Sequence, residues 1–179
     1  VDPHGYNLDL PIGWVSLEIS GDKATFAGPE ECAYLQVKVF PGEGFSEAAE
    51  ISAWAAGQLM ASGDELPFIY SGRDAVFRNL DFSSGLFNFR GYAICINGTD
   101  KDYFISAFTD DEQYDQFHDF LVSSLDSFAL NLEDRDNPGP VSQFYAGSYS
   151  GADTRAAYID FAGRISPFTY DAYALESSR

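Results

Sequence analysis

Few positions in this 179-residue chain carry side chains whose type and spacing suit chemistry. His118 is one of two histidines. It lies four residues after Tyr114 and four before Val122, at the border of an apolar helical stripe. A Ser-His-Asp or Cys-His site needs a nucleophile within hydrogen-bond reach, and the pattern nominates none. His118 therefore reads as a partly buried structural histidine. Asp100, Asp102, Asp110, Asp111, Glu112, Asp115 and Asp119 form a dense acidic run. Calcium takes hard oxygen ligands at alternating loop positions with a distal bidentate carboxylate. Asn97-Gly-Thr-Asp-Lys-Asp102 imitates the start of such a loop, but Tyr103-Phe-Ile then continues as strand. Asp100 and Asp102 are thus weak metal candidates, and no metal site or cofactor is expected. The acids from Asp110 to Asp115 match helix N-terminal electrostatics instead. A paired-carboxylate hydrolase depends on the separation of two carboxyls, so the stretch Asp100–Asp119 stays open as a small-molecule or hydrolytic site. No catalytic residue is nominated.

Two further motifs invite a chemical reading. Gly42-Glu-Gly44-Phe-Ser-Glu47 stands where a dinucleotide-binding loop would, between strand and helix. Its third glycine is replaced by Glu47, and Glu43 and Glu47 would oppose a pyrophosphate. A glycine-bent connection is the better account. Asn97-Gly-Thr99 matches an N-glycosylation acceptor, which matters only in a eukaryotic secretory chain. Cys32 and Cys95 are too few for a disulfide scaffold and form no CxxC pair. Both lie in apolar strand-like runs, where a free cysteine behaves as a small hydrophobe.

Charge narrows the partners. Ten Lys and Arg stand against 28 Asp and Glu, a net −18. Residues 1–130 hold 21 of the acids and six of the bases, a net −15. A surface this acidic repels phosphate backbones and anionic bilayers, which excludes nucleic acid as a partner. No apolar run reaches the roughly 20 residues of a spanning helix, so a membrane role would require a lipid anchor ahead of Val1. Hydrophobic residues at 45% and aromatic residues at 16% supply a core, which excludes wholesale disorder.

The elements follow from periodicity. Leu10-Pro-Ile-Gly-Trp14 reads as a turn feeding a strand from Val15 to Ser20, reversed by Ser20-Gly-Asp22 into a second over 23–27. Ala33, Leu35, Val37 and Val39 alternate with Tyr34, Gln36, Lys38 and Phe40 in a third. Residues 46–61 change to helical period with Ala48, Ile51, Ala55 and Leu59, and Ser46 is the expected N-cap. Strand patterns return at 66–70, 73–82, 86–96 and 102–108. The run 86–96 is apolar on both faces, as a strand covered on both sides would be. Asn97-Gly98 signals a hairpin. Thr109-Asp-Asp-Glu112 reads as a capping box before a helix reaching about Phe128, with Tyr114, Phe117, Leu121, Leu125 and Phe128 on one face. The order β-β-β-α-β-β-β-β-α, dominated by hairpins, predicts an α+β three-layer α/β/α sandwich with a mainly antiparallel sheet.

The rest is expected to differ. Residues 131–140 are polar and rich in Pro and Gly, a linker pattern. Residues 141–179 are read as a short helical C-terminal extension or the start of a further domain. In it Thr154 caps a helix over 155–164, and Ser166-Pro167 starts another. The tail carries six aromatic partner-binding candidates, Phe144, Tyr145, Tyr149, Phe168, Tyr170 and Tyr173.

Leu10-Pro-Ile-Gly-Trp14 resembles the opening motif of the PsbP/Mog1-like superfamily, which includes bacterial lipoproteins of the DcrB and LpqN type. The strand from Tyr34 to Phe40, Phe45-Ser46 opening a helix, Phe89-Arg-Gly-Tyr92, the strand Tyr103–Phe108 and the closing Ser124-Leu-Asp-Ser-Phe128 extend the likeness over roughly residues 6–130. The resemblance implies an α/β/α sandwich used for binding and no enzymatic residues to carry over. The expected function is thus a noncatalytic protein-binding or assembly domain of a bacterial extracytoplasmic lipoprotein, with a protein partner. A cytosolic chaperone or GTPase-binding module on the same fold is the other expectation.

Overall fold

Along the strand Phe87–Asn97, Tyr92, Ile94 and Ile96 point to one side and Ala93 and Cys95 to the other, and all five are buried. A strand with two dry faces needs cover on both, and the computed structural model of the chain supplies it. Residues 5–41, 44–130, 139–144, 154–159 and 165–166 are described. The strands are β1 (Tyr6–Pro11), β2 (Val15–Ile19), β3 (Lys23–Ala27), β4 (Ala33–Pro41), β5 (Glu65–Tyr70), β6 (Arg73–Ser84), β7 (Phe87–Asn97), β8 (Lys101–Asp110), β9 (Thr154–Ile159) and β10 (Ile165–Ser166). The helices are α1 (Ala48–Leu59) and α2 (Tyr114–Asp126).

Strands β2 to β8 form one seven-stranded sheet in the order β2-β3-β4-β8-β7-β6-β5. Every pairing in it is antiparallel. Two meanders, β2-β3-β4 and β5-β6-β7-β8, meet where β4 pairs with β8, and α1 is the crossover between them. Ala48, Ile51 and Ala55 of α1 close one face against Val76, Ala93, Cys95 and Phe104. Phe117, Leu121, Val122 and Leu125 of α2 close the other against Leu35, Val37, Ile94 and Ile105. Each of these large side chains contributes roughly 1.5–3 kcal/mol when fully buried. The α+β sandwich is therefore as the alternation predicts, and so is the strand order β2 to β8 with its two helices.

The helix starts differ in detail from their sequence signals. The N-cap of α1 is Glu47, whose side chain caps nothing. Ser46 instead donates its N–H (2.8 Å) and hydroxyl (2.9 Å) to the Glu50 carboxylate, and the Ala48 N–H is taken by Asp74 of β6 at 2.8 Å. Before α2 the cap is Asp110, which accepts from the Glu112 N–H at 2.9 Å. Thr109 lies inside β8 and donates its hydroxyl to the Cys32 carbonyl.

The helical C-terminal extension is corrected. Thr154–Ile159 is a strand, pairing antiparallel with all of β1 from Tyr6↔Ile159 to Pro11↔Thr154, and β10 pairs with β9 in turn. A six-residue segment with Ala156 and Ile159 fits a helical stripe as well as a strand, so a tertiary partner decides. That partner is β1, whose Tyr6, Leu8 and Leu10 enter the core beside α2. Residues 167–179, expected to hold a second helix, lie outside the described residues. Gly139 to Phe144 fold back against the end of α2. There Asp126 accepts from the Val141 N–H at 2.7 Å and the Ser142 N–H at 3.0 Å, and Val141 joins the core. The motif Leu10-Pro-Ile-Gly-Trp14 turns at Gly13 (φ 90°) and buries Trp14 against Gly28.

Candidate binding face

Asp102 is buried, and its carboxylate is occupied by the chain itself. It accepts from the Phe45 N–H at 3.0 Å, the Asn97 side-chain amide at 2.8 Å and the Gly98 N–H at 3.2 Å. It fastens the loop entering α1 to the β7–β8 hairpin. Asp100 is exposed on the same hairpin, beside a concavity that Gly44, Phe45, Thr99 and Asp102 also line. Among the described residues no three His, Cys, Asp or Glu side chains are placed to hold a metal ion. Asp102→Ala would strand two backbone N–H groups and an amide. It should cost about 2–3 kcal/mol, read as a lower urea midpoint at unchanged slope.

The acids of the stretch Asp100–Asp119 are divided between the β7–β8 hairpin, which carries Asp100 and Asp102, and the far end of β8 with α2. Asp102 and Asp110 lie towards opposite ends of β8, about 26 Å apart at strand rise. At the far end Asp111 pairs with Arg90 at 3.3 Å. His118, on α2, is buried as its spacing suggests. Its Nε2 lies 2.9 Å from the Tyr92 hydroxyl, which is 2.6 Å from that of Tyr114. Arg90 stacks 4.0 Å above the Tyr114 ring. This network ties α2 to β7. Cys32 and Cys95 are unbridged. Burial pushes the Cys95 thiol up to about 12. Cys32, also raised by burial, donates to the Pro29 carbonyl at 3.0 Å.

Of the six aromatic candidates, only Phe144 lies within the described residues. It is half-buried, with its ring 5.0 Å from Phe77 and 5.3 Å from Phe68, so it is engaged by the chain itself. Tyr145, Tyr149, Phe168, Tyr170 and Tyr173 lie outside the described residues.

A further aromatic cluster lies elsewhere, with Tyr34 and Phe89 half-buried and Phe82 and Phe108 buried. Helix α1 covers β6, β7 and β8 on its side of the sheet and reaches β4 where Trp54 meets Phe40 at 5.0 Å, and β2 and β3 carry no helix on that side among the described residues. Register places Tyr34 opposite Phe108, and Phe82 opposite Phe89, on that same side. Their rings meet at 5.1–6.3 Å: Phe82–Phe108 at 5.1, Phe82–Phe89 at 5.3, Tyr34–Phe108 at 5.4 and Tyr34–Phe89 at 6.3 Å. Such tilted and edge-on pairs are favourable beyond their burial. With Leu17 and Thr25 they wall a concavity of about 540 Å³. Glu18, Glu31 and Lys23 stand on its rim, with Lys23 held by Glu18 at 3.5 Å.

Two features extend this basin outward. The β6–β7 hairpin runs two residues past the end of β8 and carries Leu86 and Phe87, 98% and 59% exposed, at its tip. Leu17, 47% exposed, sits at the bulge of edge strand β2. On the rim, Glu30 and Glu31 both adopt left-handed backbone (φ 57° and 53°), a conformation that costs non-glycine residues about 1 kcal/mol or more each. A sequence signal for the basin existed. Phe82-Ser-Ser-Gly-Leu-Phe-Asn-Phe89 is eight residues without a charge, in a chain where 21% of residues are charged.

No protein-family model matches the sequence, and no curated protein matches it. Among solved structures, the chain is similar to the solution structure of cyanobacterial PsbP (CyanoP) from Synechocystis sp. PCC 6803. The TM-score is 0.56 at 13% identity, over 72% of this chain and 88% of that one. The fold is PsbP-like. At that identity the likeness is one of architecture, and it agrees with the resemblance carried by Leu10–Trp14 and the element order. A weaker likeness, TM-score 0.40 at 16% identity over 64% of this chain and 76% of the other, links it to LpqN, involved in cell envelope biogenesis of Mycobacterium tuberculosis.

Proposed function

We propose that this PsbP-like chain is a noncatalytic protein-binding or assembly domain of an extracytoplasmic bacterial protein, and that the aromatic basin is its docking face. The observation that carries the reading is the basin itself, continuous with an exposed apolar hairpin tip. Exposed apolar side chains gathered beside a half-buried aromatic cluster, here Leu17, Leu86 and Phe87, mark interaction surfaces. The extracytoplasmic placement rests on the sequence resemblance to DcrB- and LpqN-type lipoproteins.

The test is site-specific photo-crosslinking in the producing cells. A photoreactive residue is placed at Leu17 or Phe87 on the basin, and at Leu66 or Ile69 on the opposite edge strand β5 as exposed controls. Leu66 is 44% and Ile69 68% exposed. The expected result is one discrete adduct from Leu17 and Phe87 and none from the controls. Adducts of equal yield at all four positions, or none at Leu17 and Phe87, would refute the reading.

A further inference from the structure

Asn97-Gly98 is the one Asn-Gly pair in the chain, and every other asparagine precedes Leu, Phe or Pro. Asparagine is thermolabile, and most so before glycine, where no side chain shields the next backbone nitrogen. The reaction is intramolecular. The Gly98 nitrogen gives up its proton and attacks Cγ of Asn97. The new N–Cγ bond closes a succinimide, the Cγ–Nδ2 bond breaks, and ammonia leaves. Water then opens the ring to aspartate or isoaspartate. Asn97 and Gly98 are half-buried at the end of β7, and Thr99 and Asp100 beside them are exposed, so solvent is at hand.

We propose that Asn97-Gly98 is a latent deamidation site, that Asp102 guards it, and that conversion would release the loop entering α1. Asp102 Oδ1 accepts the Gly98 N–H at 3.2 Å. A carboxylate there disfavours the amide anion that the attack needs. The same oxygen accepts from Nδ2 of Asn97 at 2.8 Å, and Nδ2 also donates to the Phe45 carbonyl at 3.0 Å. The leaving nitrogen is thus held twice, and turning Cγ towards the Gly98 nitrogen breaks those bonds. The backbone is held as well. Asn97 pairs with Asp102 across the ladder, and the Lys101 carbonyl closes the space beside Gly98. Asp102 is 3% exposed, so water competes little for its oxygens.

Conversion would be one-way. It replaces an amide donor by a carboxylate facing Asp102, and like charges so close repel. The Phe45 carbonyl loses its donor at the same time. Because Asp102 also holds the Phe45 N–H, both tethers of that loop run through the converted pair. The site is therefore a slow chemical switch beside the concavity that Gly44, Phe45, Gly98 and Thr99 line.

The experiment ages the full chain in mildly alkaline buffer beside a free peptide of residues 91–101, the fragment that trypsin releases from the chain. Mapping of that fragment separates its asparagine, aspartate and isoaspartate forms. The folded chain should convert about tenfold more slowly than the peptide, or slower still, and Asp102→Ala about tenfold faster than the unaltered chain, the weight of one charge-assisted hydrogen bond. Asp102→Asn, which removes only the charge, should fall between. Asp74→Ala controls for loosening alone. It removes the bond to the Ala48 N–H at the start of α1 and should age like the unaltered chain. Asn97→Asp, the ordinary product, should melt below the unaltered chain and shift the Phe45 amide. Equal rates for folded chain and peptide would overturn the guard. So would Asp102 variants that convert no faster than the unaltered chain, or Asp74→Ala converting as fast as Asp102→Ala. If Asp102→Ala does not fold, Asp102→Asn decides by the same comparison. An unchanged melt and Phe45 amide in Asn97→Asp would overturn the release of the loop.

Discussion

Gly91→Ala should be the most damaging small substitution in the sheet, lowering stability by about 3 kcal/mol or more and the melting temperature by about 10 °C. Gly91 lies in the middle of β7, between Phe108 on β8 and Leu80 on β6. A Cβ there would overlap the Ala107 carbonyl oxygen and come within 2.6 Å of the Phe108 Cα. Both obstacles are backbone of a paired strand, so no side-chain rotation relieves them. The β7–β8 ladder would have to part locally, in the part of the sheet where the basin rings meet. Glycine also carries no side chain on the face where Phe82, Phe89 and Phe108 meet one another, ring to ring, at 5.1–5.6 Å. Gly57→Ala is the control. Gly57 lies on α1 with nothing within 4 Å of a new Cβ, and the change should stabilise by about 0.5–1 kcal/mol through helix propensity. Thermal melts of both variants decide the matter. A Gly91→Ala melt within 2 °C of the parent would mean that the strands tolerate separation at this point.

The same register explains which parts of the molecule were legible beforehand. Strands β3, β4, β6, β7 and β8 and both helices announce themselves because each buries a face locally and repeats a period over five or more residues, while the exposed edge strands β2 and β5 are marked by the turns beside them. Leu35, Val37 and Val39 against Tyr34, Gln36 and Lys38 is a pattern no helix would produce. The missed strands fail that condition in two ways. Tyr6, Leu8 and Leu10 do alternate with Asn7 and Asp9, but the run ends in Pro11-Ile-Gly13, whose composition signals a turn. Thr154–Ile159 has no period of its own strong enough to choose, and its state is set by β1, almost 150 residues away in the chain. The basin was hidden for a related reason. Tyr34, Phe82, Phe89 and Phe108 come from four strands, and only the pairings Tyr34↔Phe108 and Phe82↔Phe89 bring them to one face. The acidic run failed oppositely. Asp100 and Asp110 look adjacent along the chain, and a ten-residue strand carries them apart.

A chain ending at Leu130 tests where the folding unit stops. It should lose about 4 kcal/mol or more of a total that for such domains is about 5–15 kcal/mol, melt about 10 °C lower, and associate at concentrations where the full chain stays dispersed. Three losses add up. Val141, fully buried, and Phe144, packed between Phe68 and Phe77, leave the core, at about 2 kcal/mol for each large apolar side chain. Asp126 loses its bonds to the Val141 and Ser142 N–H groups. Strand β1 loses β9 along all six of its residues and keeps the bridge between Asn7 and Ala129 and the Asp9 N–H bond to the Ser127 hydroxyl. An edge so exposed is a template for pairing with another chain. The sheet's outer strands show how such edges are blunted, β2 by its bulge and β5 by Pro67, whereas β1 pairs without a register shift and has its one proline, Pro11, at its last position. A second chain ending at Phe144 separates the terms. It keeps the side-chain packing and the Asp126 bonds, so it should recover most of the melting temperature while still associating through β1. If the chain ending at Leu130 melts with the full one and stays monomeric, residues beyond 130 are an independent appendage, and β9 contributes no stability to the sandwich it borders.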